Sequence, residues 1–156
     1  MMKFIPRIVV ISSCFLMLSA CGTLATRDDQ YVVETDGTTK VRPQAGTSKA
    51  VLALLAQARS AAMEGQLARS EAFLERALRI EPRNPVLWHY MAKLRLNEGR
   101  LKQAAGLAAK SNSLDRDNKI LQADNWRIIA HARHKQGDID GARRAQARVD
   151  ELLSGN

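Results

Sequence analysis

The most reactive side chains in this sequence are the thiols of Cys14 and Cys21. Cys21 follows Leu18-Ser19-Ala20. Two small residues precede it, and its thiol is a nucleophile that could carry a covalently attached group. The next candidates are His131 and His134, three apart and so on one face of a helix. A metal site would need further ligands nearby, and Arg133 and Lys135 crowd the pair with positive charge, so both are read as structural or surface residues and no metal is assigned. The sequence has no glycine-rich phosphate loop, no strand to seat a nucleophile and no paired carboxylates in a plausible cleft. No catalytic residue and no cofactor are therefore expected, and the chain is read as a binding protein, not an enzyme.

The elements around Cys21 explain its chemistry. Lys3 and Arg7 precede an apolar stretch from Ile8 to Leu18. That stretch is shorter than the roughly 20 apolar residues a membrane-spanning helix needs, so it reads as a removable secretory signal. Leu18-Ser19-Ala20-Cys21 resembles the lipobox of bacterial lipoproteins. The resemblance implies a signal peptide over 1–20, cleavage before Cys21 and lipid on its thiol; the alternative is an ordinary secretory signal with a chance cysteine. Several acyl chains on one residue anchor firmly where a single chain binds only marginally. Gly22, where an Asp would favour the inner membrane, implies the periplasmic face of the outer membrane. With Cys14 removed and Cys21 lipidated, the remaining fold has no disulfide to rest on.

The net charge of +8 includes Lys3 and Arg7. In a cytoplasm such a charge would raise nucleic acid as a partner. Beyond a secretory signal it points instead to lipid head groups, cell-wall polymers or an acidic protein face, or to solubility alone. No nucleic-acid partner is expected.

Residues 21–47 hold several Thr, three Gly, Pro43 and scattered charges without helical periodicity, and read as a lipidated flexible tether. Its roughly 26 residues at no more than about 3.5 Å each could reach about 90 Å. From Ser48 the composition turns to helix formers, with Ala, Leu, Arg, Glu and Gln dominant, and 48–156 suffices for one small domain. Leu54, Ala58, Gly65, Leu74, Ala77 and Pro82 recur in type 34 residues later as Trp88, Ala92, Gly99, Ala108, Ser111 and Arg116. A third copy, displaced by four more residues, runs through Trp126, Ala130 and Gly137 to Ala142 and Val149. The small residues let the first helix of each pair lie close to the second, and the glycines suit a left-handed turn between them. Asn84-Pro85 reads as an N-cap and first helical residue, and Asp138 as a cap for the last helix. Helices are expected near 49–63, 67–80, 85–97, 101–113, 120–136 and 139–153, with Trp88 in the core.

This pattern resembles the tetratricopeptide repeat (TPR). Gln57 and Asn125, where the family prefers large or apolar residues, and an insertion around 115–122 depart from it. The resemblance implies an all-α, right-handed superhelix of about three helix-turn-helix repeats, near the minimum for stability. It also implies a protein-binding concave groove lined by the first helix of each repeat. That groove would take Leu52, Leu55, Arg59 and Met63 from repeat one, His89, Lys93 and Asn97 from repeat two, and Arg127, His131, His134 and Lys135 from repeat three. Such a face runs from apolar to basic and would suit a partner segment with apolar residues at one end and carboxylates at the other. Among lipidated TPR proteins the chain looks most like the outer-membrane activators of bifunctional penicillin-binding proteins, which implies such a synthase as partner. The alternative is a TPR assembly factor or pilotin for a pilus, secretion or outer-membrane insertion machine.

Overall fold

The computed structural model describes residues 41–154; the expected signal, Cys21 and most of the expected tether lie outside them. The described residues form six helices and no strand: α1 Lys49–Met63, α2 Leu67–Ile80, α3 Pro85–Asn97, α4 Leu101–Leu114, α5 Lys119–Lys135 and α6 Ile139–Ser154. Each boundary falls within one residue of its sequence expectation. None of these helices is long and apolar enough to cross a membrane.

The boundaries follow from local chemistry. Ser48, Asn84 and Asn118 cap α1, α3 and α5, their side-chain oxygens accepting from the Val51, Val86 and Leu121 N–H groups. At the start of α6, Asp138 Oδ1 accepts from Gly141 N at 2.8 Å. The first helix of every pair ends in the same way. Gly65, Gly99 and Gly137 have φ of 73°, 72° and 80°. The N–H after each glycine reaches five residues back: Gln66 to Ala61 O at 2.8 Å, Arg100 to Arg95 O at 2.8 Å and Asp138 to Arg133 O at 3.0 Å. This is the Schellman arrangement, which satisfies carbonyls that a helix end leaves open. A side chain at φ near +70° would strain the turn, so glycine is required there.

The four extra residues of the third repeat lie in a helix, not a loop. Asn84 and Asn118, 34 apart, perform the same capping role, and Asp115 Oδ1 holds the intervening turn by accepting from the N–H of Asp117 at 3.1 Å and of Asn118 at 3.2 Å. α5 is 17 residues long where α3 is 13. The insertion is one added turn of α5, and because four residues come close to one 3.6-residue turn the buried face is nearly preserved.

Helices pack as the antiparallel pairs α1–α2, α3–α4 and α5–α6, with α2 and α4 each also touching the next pair. Ala58, Ala92 and Ala130, all 1% exposed or less, allow the close approach within each pair. Two apolar clusters result. One joins Val51, Leu54, Leu74, Leu87 and Met91 to Leu121; the other gathers Ala104, Ala108, Ile128, Ile129 and Ala145.

Two details differ from the sequence reading. Val41, assigned to the tether, is 6% exposed and packs into the first cluster. Ser48 N donates to Glu81 Oε1 at 2.8 Å and Asn84 Nδ2 to Thr47 Oγ1 at 3.1 Å, so residues 41–47 are attached to the helices. Trp88, expected in the core, is only half-buried. Leu87 and Met91 take the inward positions, while the Trp88 indole N–H donates to Pro82 O at 2.8 Å and Lys110 Nζ lies 5.7 Å from its ring.

Candidate protein-binding groove

α1 and α3 are the first helices of adjacent repeats, and their C-terminal halves border an open recess. Arg59 and Met63, four apart, face it from α1. Tyr90, Lys93 and Asn97 face it from α3 at successive turns, and Ala58, Leu74 and Leu94 form its apolar floor. Among the described residues, two cations and no carboxylate line it. The Arg59 guanidinium lies 5.5 Å from the centre of the Tyr90 ring, within cation–π range. The Tyr90 hydroxyl is buried with no hydrogen-bond partner among the described residues. Burial pushes its pKa up, against the opposing pull of Arg59, so the phenol stays protonated and can donate. Met63 is 66% exposed. A donor and two cations over an apolar floor suit a carboxylate carried beside apolar groups.

Beneath Tyr90 lies a polar layer that the repeat pattern gave no reason to expect. The His89 ring packs edge-on to Tyr90, 5.2 Å between centroids. His89 is 1% and Asn125 0% exposed. Asn125 donates both amide hydrogens, to Ser111 Oγ and Asn112 Oδ1 at 2.8 Å each. Its oxygen therefore accepts, and His89 Nδ1 is the donor at 2.9 Å. Ser111 Oγ in turn donates to Pro85 O at 2.8 Å. Burial first, and Lys93 further, pull the His89 pKa down to about 4 despite the Asn125 bond. His89 is thus a neutral packing residue.

The sequence-assigned groove residues divide accordingly. Arg59, Met63, Lys93 and Asn97 meet in the recess. Leu52, 36% exposed, lies on the same stripe of α1 as Arg59 and Met63. Leu55 and His89 are corrected: at 4% and 1% exposure they face inward, Leu55 into the first apolar cluster and His89 toward α5. Arg127, His131 and Lys135 share a face of α5, four residues apart, outside the recess, as is His134. Arg127 is ion-paired with Asp124 one turn back. Among the described residues no cluster of three or more acidic, His or Cys side chains could hold a metal. Tyr90 was missed by sequence reasoning; its spacing of three from Lys93 and seven from Asn97 was the available signal.

Six helices in three glycine-turned pairs, with a recess between the first helices of two pairs, define a TPR protein, and residues 61–123 match the tetratricopeptide-repeat family model. The chain belongs to the tetratricopeptide-repeat family. It is similar to the globular C-terminal domain of LpoP from P. aeruginosa, at 39% identity and a TM-score of 0.64, over 66% of this chain and 97% of that one. The N-terminal domain of stress-induced protein-1 (STI-1) from C. elegans shares the fold at 16% identity and a TM-score of 0.60, over 72% of this chain and 95% of that one. No curated protein matches the sequence.

Proposed function

We propose that this chain is a lipid-anchored periplasmic module of the outer membrane that binds a bifunctional penicillin-binding protein and stimulates its peptidoglycan synthesis. The observation that carries this reading is the 39% identity to the LpoP globular domain over nearly all of that domain, on a chain whose signal and repeats resemble the TPR lipoprotein activators. The recess between α1 and α3 supplies a mechanism based on binding. A partner segment with a carboxylate beside apolar side chains would set the carboxylate against Arg59, Lys93 and the Tyr90 hydroxyl, and its apolar groups against Met63 and Leu94. Opposite charge would speed encounter and make it salt-sensitive. The basic face of α5 would extend the contact at its far end.

The test is reconstitution with a purified bifunctional synthase. Arg59→Glu with Lys93→Glu should weaken binding more than tenfold and abolish stimulation, with helicity unchanged. Arg127→Glu with Lys135→Glu should weaken it less, because both lie on α5 outside the recess. Arg143→Glu with Arg144→Glu, on exposed positions of α6, should have little effect. Loss of stimulation from the α6 pair alone would move the interaction to another surface.

A further inference from the structure

The two edges of the helix array differ in charge. Hydrogen bonds define the edge where first helices begin and second helices end. Ser48 N at the start of α1 donates to Glu81 just past α2, and Ser111 in the last turn of α4 donates to Pro85 O at the start of α3. Asn118 caps α5 shortly after α4 ends. Along this edge Lys49, Arg79, Arg83 and Arg116 are exposed, and none of them forms an ion pair among the described residues. Two carboxylates here are turned into bonds, Glu81 with Ser48 and Asn84, and Asp115 with the N–H groups of Asp117 and Asn118. Asp117 stands exposed beside them. The opposite edge, at the glycine turns, carries Glu64, Glu98, Asp138 and Asp140, and its Arg100 and Arg133 pair with Glu98 and Asp138. On the basic edge Ile80 closes α2 and Ile120 lies in the first turn of α5, 52% and 49% exposed. They belong to separate repeats and offer no continuous apolar seat for a protein segment. Cations around isolated aliphatic side chains match a lipid surface, which presents phosphate charge throughout and an apolar layer just beneath it.

We propose that this edge docks on a bilayer surface carrying anionic phospholipid, with Lys49, Arg79, Arg83 and Arg116 among the phosphodiesters and Ile80 and Ile120 pressed into the head-group layer. The contact requires no acyl chain on the protein and is independent of the partner proposed above. Each Lys or Arg close to an anionic surface strengthens binding roughly fivefold, so four of them separate anionic from neutral lipid by roughly several hundredfold at low salt. Salt screens that attraction. The docked orientation also sets the height of the recess. It lies along the C-terminal halves of α1 and α3, so with the start of α1 on the lipid it would stand about 15–20 Å above the surface, clear of the head groups and open to a partner.

The test uses the chain from residue 21 onward with Cys21→Ser, which carries neither an acyl chain nor a native thiol. It should co-sediment with phosphatidylcholine vesicles that contain phosphatidylglycerol and not with phosphatidylcholine alone, and high salt should release it. Arg79→Glu with Arg83→Glu should weaken this binding roughly 25-fold or more. Arg143→Glu with Arg144→Glu makes the same charge change in the half of α6 next to the opposite edge, beyond the screening length, and should alter binding by less than about twofold. Ile80→Ser with Ile120→Ser should weaken vesicle binding severalfold and leave binding to soluble polyglutamate unchanged. All these side chains are exposed, so each variant should keep native helicity. A polarity-sensitive fluorophore on Ile120→Cys should shift to the blue on vesicles; one on Ile139→Cys, 48% exposed beside Asp138 and Asp140, should not. Equal binding to neutral vesicles, an equal loss from the α6 pair or equal shifts from both labels would overturn the proposal. Vesicle binding indifferent to the isoleucine pair would overturn it too, by making the edge a general polyanion surface.

Discussion

His89 and Asn125 form a hydrogen-bonded pair across the buried contact of α3 with α5, His89 Nδ1 donating to Asn125 Oδ1 at 2.9 Å. The pair ties the first helices of repeats two and three together where the repeat pattern would place apolar contact. Its stability contribution depends on His89 being neutral.

Acidification should therefore weaken the domain well above the usual carboxylate range. The His89 pKa is lowered from 6.5 to about 4 in the folded protein. The unfolded chain binds the proton first, so stability is full above pH 6.5 and falls as pH drops through 6.5 toward 4. A shift of this size is worth roughly 3 kcal/mol. Glu71 and Glu81 also have lowered pKa values, Glu71 mainly through Arg95 and Glu81 through Ser48 and Asn84 bonds that outweigh its burial. Their loss begins only nearer their ordinary value of 4.5. Urea midpoints between pH 7 and 5 should slope in the native chain and flatten in His89→Phe; an unchanged slope would show that another group titrates.

Two glycines should respond oppositely to alanine. Gly99 has φ of 72°, so Gly99→Ala should cost about 1–2 kcal/mol. Gly106 lies exposed inside α4, and a Cβ there meets nothing within 4 Å. Gly106→Ala should stabilise by about 0.5–1 kcal/mol. Thermal melts of both variants suffice, and equal signs would contradict the turn geometry.

Trp88→Ala should cost about 1–2 kcal/mol, below the 3–5 kcal/mol of a fully buried tryptophan. Its fluorescence should be open to partial quenching by iodide. A larger loss with no quenching would restore Trp88 to the core.

The lipid expectation falls on Cys21, outside the described residues. Cys21→Ser should leave the protein unprocessed or soluble in fractionation. The N-terminal peptide of the native protein should carry diacylglycerol by mass spectrometry. A free, thiol-reactive Cys21 would end the lipoprotein reading.

The helices were legible in sequence because their signals are local. Asn84-Pro85 starts α3, and Gly65, Gly99 and Gly137 end helices whatever lies around them. Inward and outward assignments depend on tertiary neighbours and were less legible. Family register placed His89 on the groove, but pairing with Asn125 turns it inward. Asn125 was visible as a departure from the pattern, yet only the proximity of Ser111, Asn112 and His89 explains why a buried amide is tolerated there. The insertion was placed around the turn between α4 and α5 because spacing alone cannot distinguish a longer loop from an added helical turn; the capping Asn118 decides it. Arg59, Met63, Lys93 and Asn97, taken from the groove positions the TPR resemblance implies, line one recess because each pair recurs on one stripe of its helix.

If Cys21 carries lipid, the docking of Val41 in the first apolar cluster would set the length of the leash. With lipid on Cys21, twenty residues separate the membrane from the first fixed point, about 70 Å fully extended, where a leash running to Ser48 would give about 90 Å. Search volume scales with the cube of that radius, so seven adhering residues roughly halve the space in which the domain can meet a partner. Val41→Asp should peel the segment away and lengthen the leash without altering the groove. If Cys21 carries lipid, a single valine would govern capture radius, a property that neither the helices nor the groove sets.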